Sequence, residues 1–119
     1  MGKINACVFI SGKGTNLKNL IKKSRDYNFP INIKLIISNN KKADGIIFAK
    51  KYLIPYFIIN TDTRNFEAVI LKLLEKYKIS LICLAGYMKI ISKKFLNKFG
   101  KKIINIHPSL LPKYKGLNT

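Results

Sequence analysis

Asn105 and His107 stand one residue apart, and His107 is the single histidine of the chain. If the segment carrying them is a strand, its period of two sends both side chains to the same side. An amide donor and an imidazole aimed at one point can stabilise an oxyanion developing on a carbonyl and move a proton near neutral pH. That is the chemistry of addition to a carbonyl. A lone histidine is more often structural, so the pair is a candidate whose standing depends on where the fold places it. Pro108 and Pro112, which follow, cannot serve an interior ladder and turn the chain out of any sheet.

A second candidate is "ISGKGTNLKNLI", Ile10 to Ile21, which places Gly12 and Gly14 between an apolar run and a helical pattern. Thr15 or Asn16 is available there as a helix N-cap. Glycine lets a backbone approach closely, and the free N–H groups and dipole of a helix start attract an anion such as phosphate. The dinucleotide fingerprint is excluded because its third glycine would fall at Leu17, and a Walker A loop is excluded by spacing. A tight turn that needs glycine for positive φ accounts for the same residues equally well. In "LAGYMKIIS", Leu84 to Ser92, the residues Tyr87, Met88, Ile90 and Ile91 form an apolar ledge. It either walls a flat ring system or tucks into the core. Arg64, at a helix start where the dipole disfavours a cation, either reaches a carboxylate or is solvated.

The elements that must position these residues follow from hydrophobic pattern. Four short runs rich in branched residues, Ile4 to Ile10, Ile31 to Ser38, Ser80 to Ala85 and Lys102 to Ile106, read as strands buried on both faces. A shorter fifth, Tyr56 to Asn60, follows Pro55. Between them, Leu17, Leu20 and Ile21 mark one helix. Ile46, Ile47 and Phe48 with Tyr52 and Leu53 mark a second, and Phe66, Val69, Ile70, Leu73, Leu74 and Tyr77 a third. Alternating strand and helix predicts an α/β fold, a parallel sheet with right-handed crossovers and helices on both faces. Ligands bind such sheets outside the carboxyl ends of the strands. The polar residues expected there are Ser11 to Asn16, Ser38 to Asn40, Gly86 to Lys89, and Asn105 with His107.

Composition bounds the partners. At 119 residues, 48% of them hydrophobic, the chain suits one globular domain over residues 1–119. The formal charge of +18 comes almost wholly from lysine, with Arg25 and Arg64 the only arginines, and it is spread through every segment. A solvated lysine coat explains this better than a nucleic-acid face, and it favours small anions. No apolar run approaches the length of a membrane span and no signal-peptide pattern opens the chain, so a cytoplasmic protein is expected. Cys7 and Cys83 fall inside apolar runs without metal-ligand spacing, which predicts two buried free thiols.

Put in order, "ISGKGTNL", "ISNNKKADGIIFAKKYLIP", "LAGYMKIIS" and "NIHPSLLPKYKGLNT" resemble the phosphoribosylglycinamide formyltransferase family of purine synthesis from the first strand to the last residue. The resemblance implies a Rossmann-like formyltransferase N-terminal fold lacking its C-terminal strands. It also implies formyl transfer from 10-formyltetrahydrofolate, as co-substrate, to the amine of glycinamide ribonucleotide. On that resemblance Gly14, Thr15, Asn16 and Leu17 would hold the substrate phosphate or ribose. Arg64, Met88, Lys89, Ile90, Ile91 and Asn105 would meet the folate, and Asn105 and His107 would be catalytic, with no metal. Lys89 stands where the family often has arginine, which keeps charge but loses a planar fork. No Asp or Glu follows Glu75, whereas the family places an aspartate beside the histidine later in the chain, so the sequence is expected to be a fragment. Small-molecule partners are expected, with no specific nucleic acid and no membrane, and a homodimer is left open. A non-catalytic nucleotide-binding module and a methionyl-tRNA formyltransferase-like activity are the alternatives.

Overall fold

The computed structural model describes residues 3–12, 15–87 and 91–106, with the side chains of residues 15 and 16 outside that description. Five strands and four helices alternate. They are β1 (Ile4–Ile10), α1 (Thr15–Ser24), β2 (Ile31–Ser38), α2 (Gly45–Lys51), β3 (Tyr56–Ile58), α3 (Phe66–Lys76), β4 (Leu81–Ala85), α4 (Lys93–Phe99) and β5 (Lys102–Asn105). All strand pairs are parallel, and the spatial order is β3-β2-β1-β4-β5. Chain order therefore reverses between β1 and β4, the position where ligands enter open parallel sheets.

Alternation along β1 divides the core into two layers. Ala6, Val8 and Ile10 face α1 and α2, meeting Leu17, Leu20, Ile21, Ile46 and Ala49. Cys7 and Phe9 face α3 and α4, meeting Ile70, Leu74, Phe95 and Phe99. Both faces of the central strands are thus covered, which is why they read as continuous apolar runs. Among the described residues, no helix is long and apolar enough to cross a membrane.

Three expectations need correction. The run Lys102 to Ile106 is not buried on both faces: β5 forms a sheet edge, Lys102 and Asn105 are exposed, and Ile103 and Ile104 are half-buried. Ile47 and Leu53 do not belong to the buried stripe, being 64% and 89% exposed. The helix α2 ends at Lys51, and Leu53 lies beyond it with φ +56 while Ile54 N–H closes back on Ala49 O at 2.9 Å. That closure turns Leu53 outward. Finally, the sequence reading does not include α4, whose buried face is only the pair Phe95 and Phe99 among lysines. Its signals are at its ends: Ser92 Oγ accepts from Phe95 N–H at 3.0 Å, and Gly100 takes φ +64 while donating to Leu96 O at 3.0 Å.

Candidate functional site

The carboxyl edge of the sheet is built from the ends of its strands. At the end of β2, buried Ser38 folds the backbone onto itself, its Oγ donating to Asn40 O at 2.8 Å and accepting from Asn40 N–H at 3.0 Å. Asn40 then reaches across to β1, where its Nδ2 donates to Ser11 O at 3.2 Å. Asn39 N–H donates to Ile10 O at 3.4 Å. Two adjacent asparagines therefore hold the chain as it leaves β1, a task that spacing alone does not reveal. Asn39 Oδ1 is buried and has no hydrogen-bond partner among the described residues.

Gly12 distinguishes the two readings of the first loop. Its φ is not in the left-handed region, and a Cβ built on it would meet none of the described residues within 4 Å. The turn does not need glycine there for its own geometry; glycine leaves the space beside the backbone open. Gly14 lies outside the described residues. The helix α1 starts at Thr15, so Thr15 and Asn16 belong to its first turn instead of preceding it. Leu17 is fully buried, which limits any ligand contact there to its main chain.

On the other side of β1, the chain leaves β4 through Gly86 at φ +75, a conformation that favours glycine. Tyr87 then lays its ring edge-on to Phe9, with centroids 5.2 Å apart and planes at 68°. Burial, and then the charge of Glu67, push the Tyr87 phenol above its usual range. Tyr87 and Ile91 are both half-buried and close over Phe9, Phe66 and Phe95 around a gap of only about 10 Å³. The described ends of the ledge, Tyr87 and Ile91, thus pack against the core. Met88, Lys89 and Ile90 lie outside the described residues.

Asn105 ends β5 in one cross-sheet row with Leu84 and Phe9. Its side chain is exposed, whereas Ile106 is buried and extends the ladder by donating its N–H to Leu84 O at 2.9 Å. The amide is therefore presented at the edge by a strand that stays paired past it. With strands about 4.8 Å apart, β5 lies about 10 Å from β1, the span of a small bound reactant. His107 falls outside the described residues. Arg64 is exposed in the turn before α3, one helical turn ahead of Glu67, whose carboxylate grips Ser92 at the end of the ledge. Through that link α3 begins beside the same mouth.

Cys7 and Cys83 are buried and free. Burial raises both thiols, Cys83 to about 12 and Cys7 well above 9.0 with the charge of Cys83 adding, so neither is a nucleophile near neutral pH. Among the described residues, no three His, Cys, Asp or Glu side chains gather to hold a metal ion. A cleft of about 460 Å³ bordered by Glu75, Lys78, Lys98 and Lys101 opens at the opposite, amino end of β4 and β5.

Comparison with known proteins gives this edge a context. Residues 4–119 match the family model described as "Formyl transferase". The phosphoribosylglycinamide formyltransferase of Haemophilus influenzae is 46% identical over 116 residues, an alignment covering 94% of this chain and 55% of that protein. The trifunctional purine biosynthetic protein adenosine-3 of Homo sapiens is 40% identical over 120 residues, covering 98% of this chain and 12% of that protein. The crystal structure of phosphoribosylglycinamide formyltransferase from Brucella melitensis superposes with a TM-score of 0.84 at 35% identity, covering 99% of this chain and 64% of that one. The chain thus spans about half the length of the bacterial relative.

Proposed function

The chain belongs to the formyl transferase family, and on that premise we propose that it acts in formyl transfer from 10-formyltetrahydrofolate to the amine of glycinamide ribonucleotide, a step of purine biosynthesis. The observation that carries the reading is the exposed Asn105 amide, held at the carboxyl end of β5 and two strands from the open turn at Gly12. The backbone at Gly14, Thr15, Asn16 and Leu17 takes the phosphate or ribose of the amine substrate. Free N–H groups of the first turn of α1 favour an anion there.

The residues of the other side suit a flat, carboxylate-bearing group. Tyr87 and Ile91 offer an apolar wall, extended in the sequence by Met88, Lys89 and Ile90, and Arg64 offers an exposed guanidinium to a carboxylate. When bound, formyl folate supplies a one-carbon carbonyl attached to nitrogen. Asn105 Nδ2–H donates to the oxygen of that carbonyl as negative charge grows on it. His107 receives and returns a proton, bringing the neutral amine to the carbon and a protonated nitrogen to departure. Holding two reactants together lowers the barrier by roughly 7 kcal/mol, and an amide aimed at the oxyanion adds on the order of 3 kcal/mol. No step assigned to these residues calls for a metal.

The test is a formyl-transfer assay on the protein as it occurs in the cell, with glycinamide ribonucleotide and 10-formyltetrahydrofolate. Turnover that persists in a chelator is the expected result. Transfer to methionyl-tRNA in its place, or tight binding of the ribonucleotide with no transfer, overturns the reading.

A further inference from the structure

Glu67 is one of five acidic residues in the chain, and it spans the largest sequence gap of any described side-chain carboxylate contact. Both of its oxygens are engaged by one residue 25 positions later: Oε1 accepts from Ser92 Oγ–H at 2.6 Å and Oε2 from Ser92 N–H at 3.1 Å. Ser92 Oγ is simultaneously the N-cap of α4, accepting from Phe95 N–H at 3.0 Å. One carboxylate therefore ties the first turn of α3 to the first turn of α4 at the point where the chain finishes the ledge. The ledge begins at Tyr87, clamped edge-on to Phe9. Glu67 and Ile91 border the same small gap as Tyr87, so both of these ledge residues lie against filled space.

We propose that Glu67 is a positioning residue for the folate side of the site, holding Tyr87, Ile91 and Ser92 as a rigid wall. This rests on the reading of the ledge as the folate wall given above. The residue type follows from the geometry. Two donors of Ser92 need two acceptors; a carboxylate has both, whereas a glutamine offers one oxygen and two superfluous hydrogens. Both oxygens of Glu67 are spent on Ser92, so the function of this acid is to anchor a segment and not to contact an anionic ligand.

The test compares wild type with Glu67→Gln and Glu67→Ala in the protein as it occurs in the cell, by calorimetric titration. The stable isomer 5-formyltetrahydrofolate and glycinamide ribonucleotide serve as separate probes. The folate dissociation constant is expected to rise about threefold in Glu67→Gln and about tenfold or more in Glu67→Ala, while that for the ribonucleotide stays within twofold. Should the alanine variant fail to fold, the glutamine variant alone gives the split. Equal weakening of both ligands would show a merely structural role and overturn the inference, as would unchanged folate affinity. Wild type that binds no folate at all would instead sink the proposed function, a distinct outcome.

Discussion

The two ends of the sheet differ in a way that size alone would misjudge. The amino end carries a cleft of about 460 Å³ between the last turns of α3 and α4, ringed by Lys78, Lys98 and Lys101. The carboxyl end has, in its described part, a gap of about 10 Å³ under the ledge and a recess of about 220 Å³ beside the first turns of α3 and α4. Yet the amino-end lysines are flexible point charges on exposed stems, and nothing there is directed. At the carboxyl end three polar residues are held by the fold: Asn105 by a paired strand, Ser11 by Asn40, and Ser92 by Glu67. Parallel strands send every exit loop and every following helix start to one edge, which collects oriented donors regardless of cavity volume. Orientation, not volume, separates the two ends.

The contrast breaks most sharply at Asn105. Replacing it by alanine is expected to lower kcat about a hundredfold or more, about 3 kcal/mol of barrier, with the melting temperature unmoved because the side chain is exposed. Lys98→Ala at the amino end should leave the rate within twofold. Steady-state kinetics and a thermal melt on both variants decide it, and a matching rate loss from Lys98→Ala would erase the distinction between the ends.

Between the ends lie the two buried thiols, which belong to neither. Both bind their protons more tightly in the fold than in the unfolded chain, so the unfolded chain releases them first as pH rises. Their contribution to stability is therefore complete below about 9.0 and is lost as pH climbs toward 12. Each thiol should lower stability by about 1.4 kcal/mol per pH unit across that window. Denaturant titrations at stepped pH should show this fall, and Cys83→Ala should make it shallower. An identical slope in the variant would remove the thiols as its cause.

The smallest effect sharpens the comparison from the other side. Lys78 sits at the lip of the amino-end cleft with φ +55, closing α3 in the conformation that Gly100 supplies for α4. Lys78→Gly should raise unfolding stability by about 1 kcal/mol and leave formyl transfer unchanged. A loss of activity in that variant would place function at the end where none is assigned.

Strand-helix alternation was legible because the central strands are covered on both faces and so are written as unbroken branched runs, and the long stripe of α3 shows the period of a helix. Legibility failed at α4 and at the outer flank of β5. Seven residues of α4 carry their information in Ser92 and Gly100, and β5 has an apolar sequence but an exposed flank. Candidate residues Asn105, Gly12, Arg64, Tyr87 and Ile91 could be named from type and spacing. Their supports could not. Asn40 acts on a carbonyl 29 positions away and Glu67 on a serine 25 positions away, distances at which no local pattern survives.

By itself, then, the amino-acid sequence determined the parallel α/β architecture, the buried thiols and the family, and it named the candidates proposed to act on a carbonyl, because each is written in local periodicity or in contiguous motifs. Only the tertiary structure decided that Gly12 leaves space without requiring positive φ, that Leu17 offers its main chain alone, and that Glu67 anchors the ledge. Those facts depend on which surfaces the sheet brings together, and the free energy of a contact is set by the neighbours that exclude water from it, not by the residues adjacent in the chain.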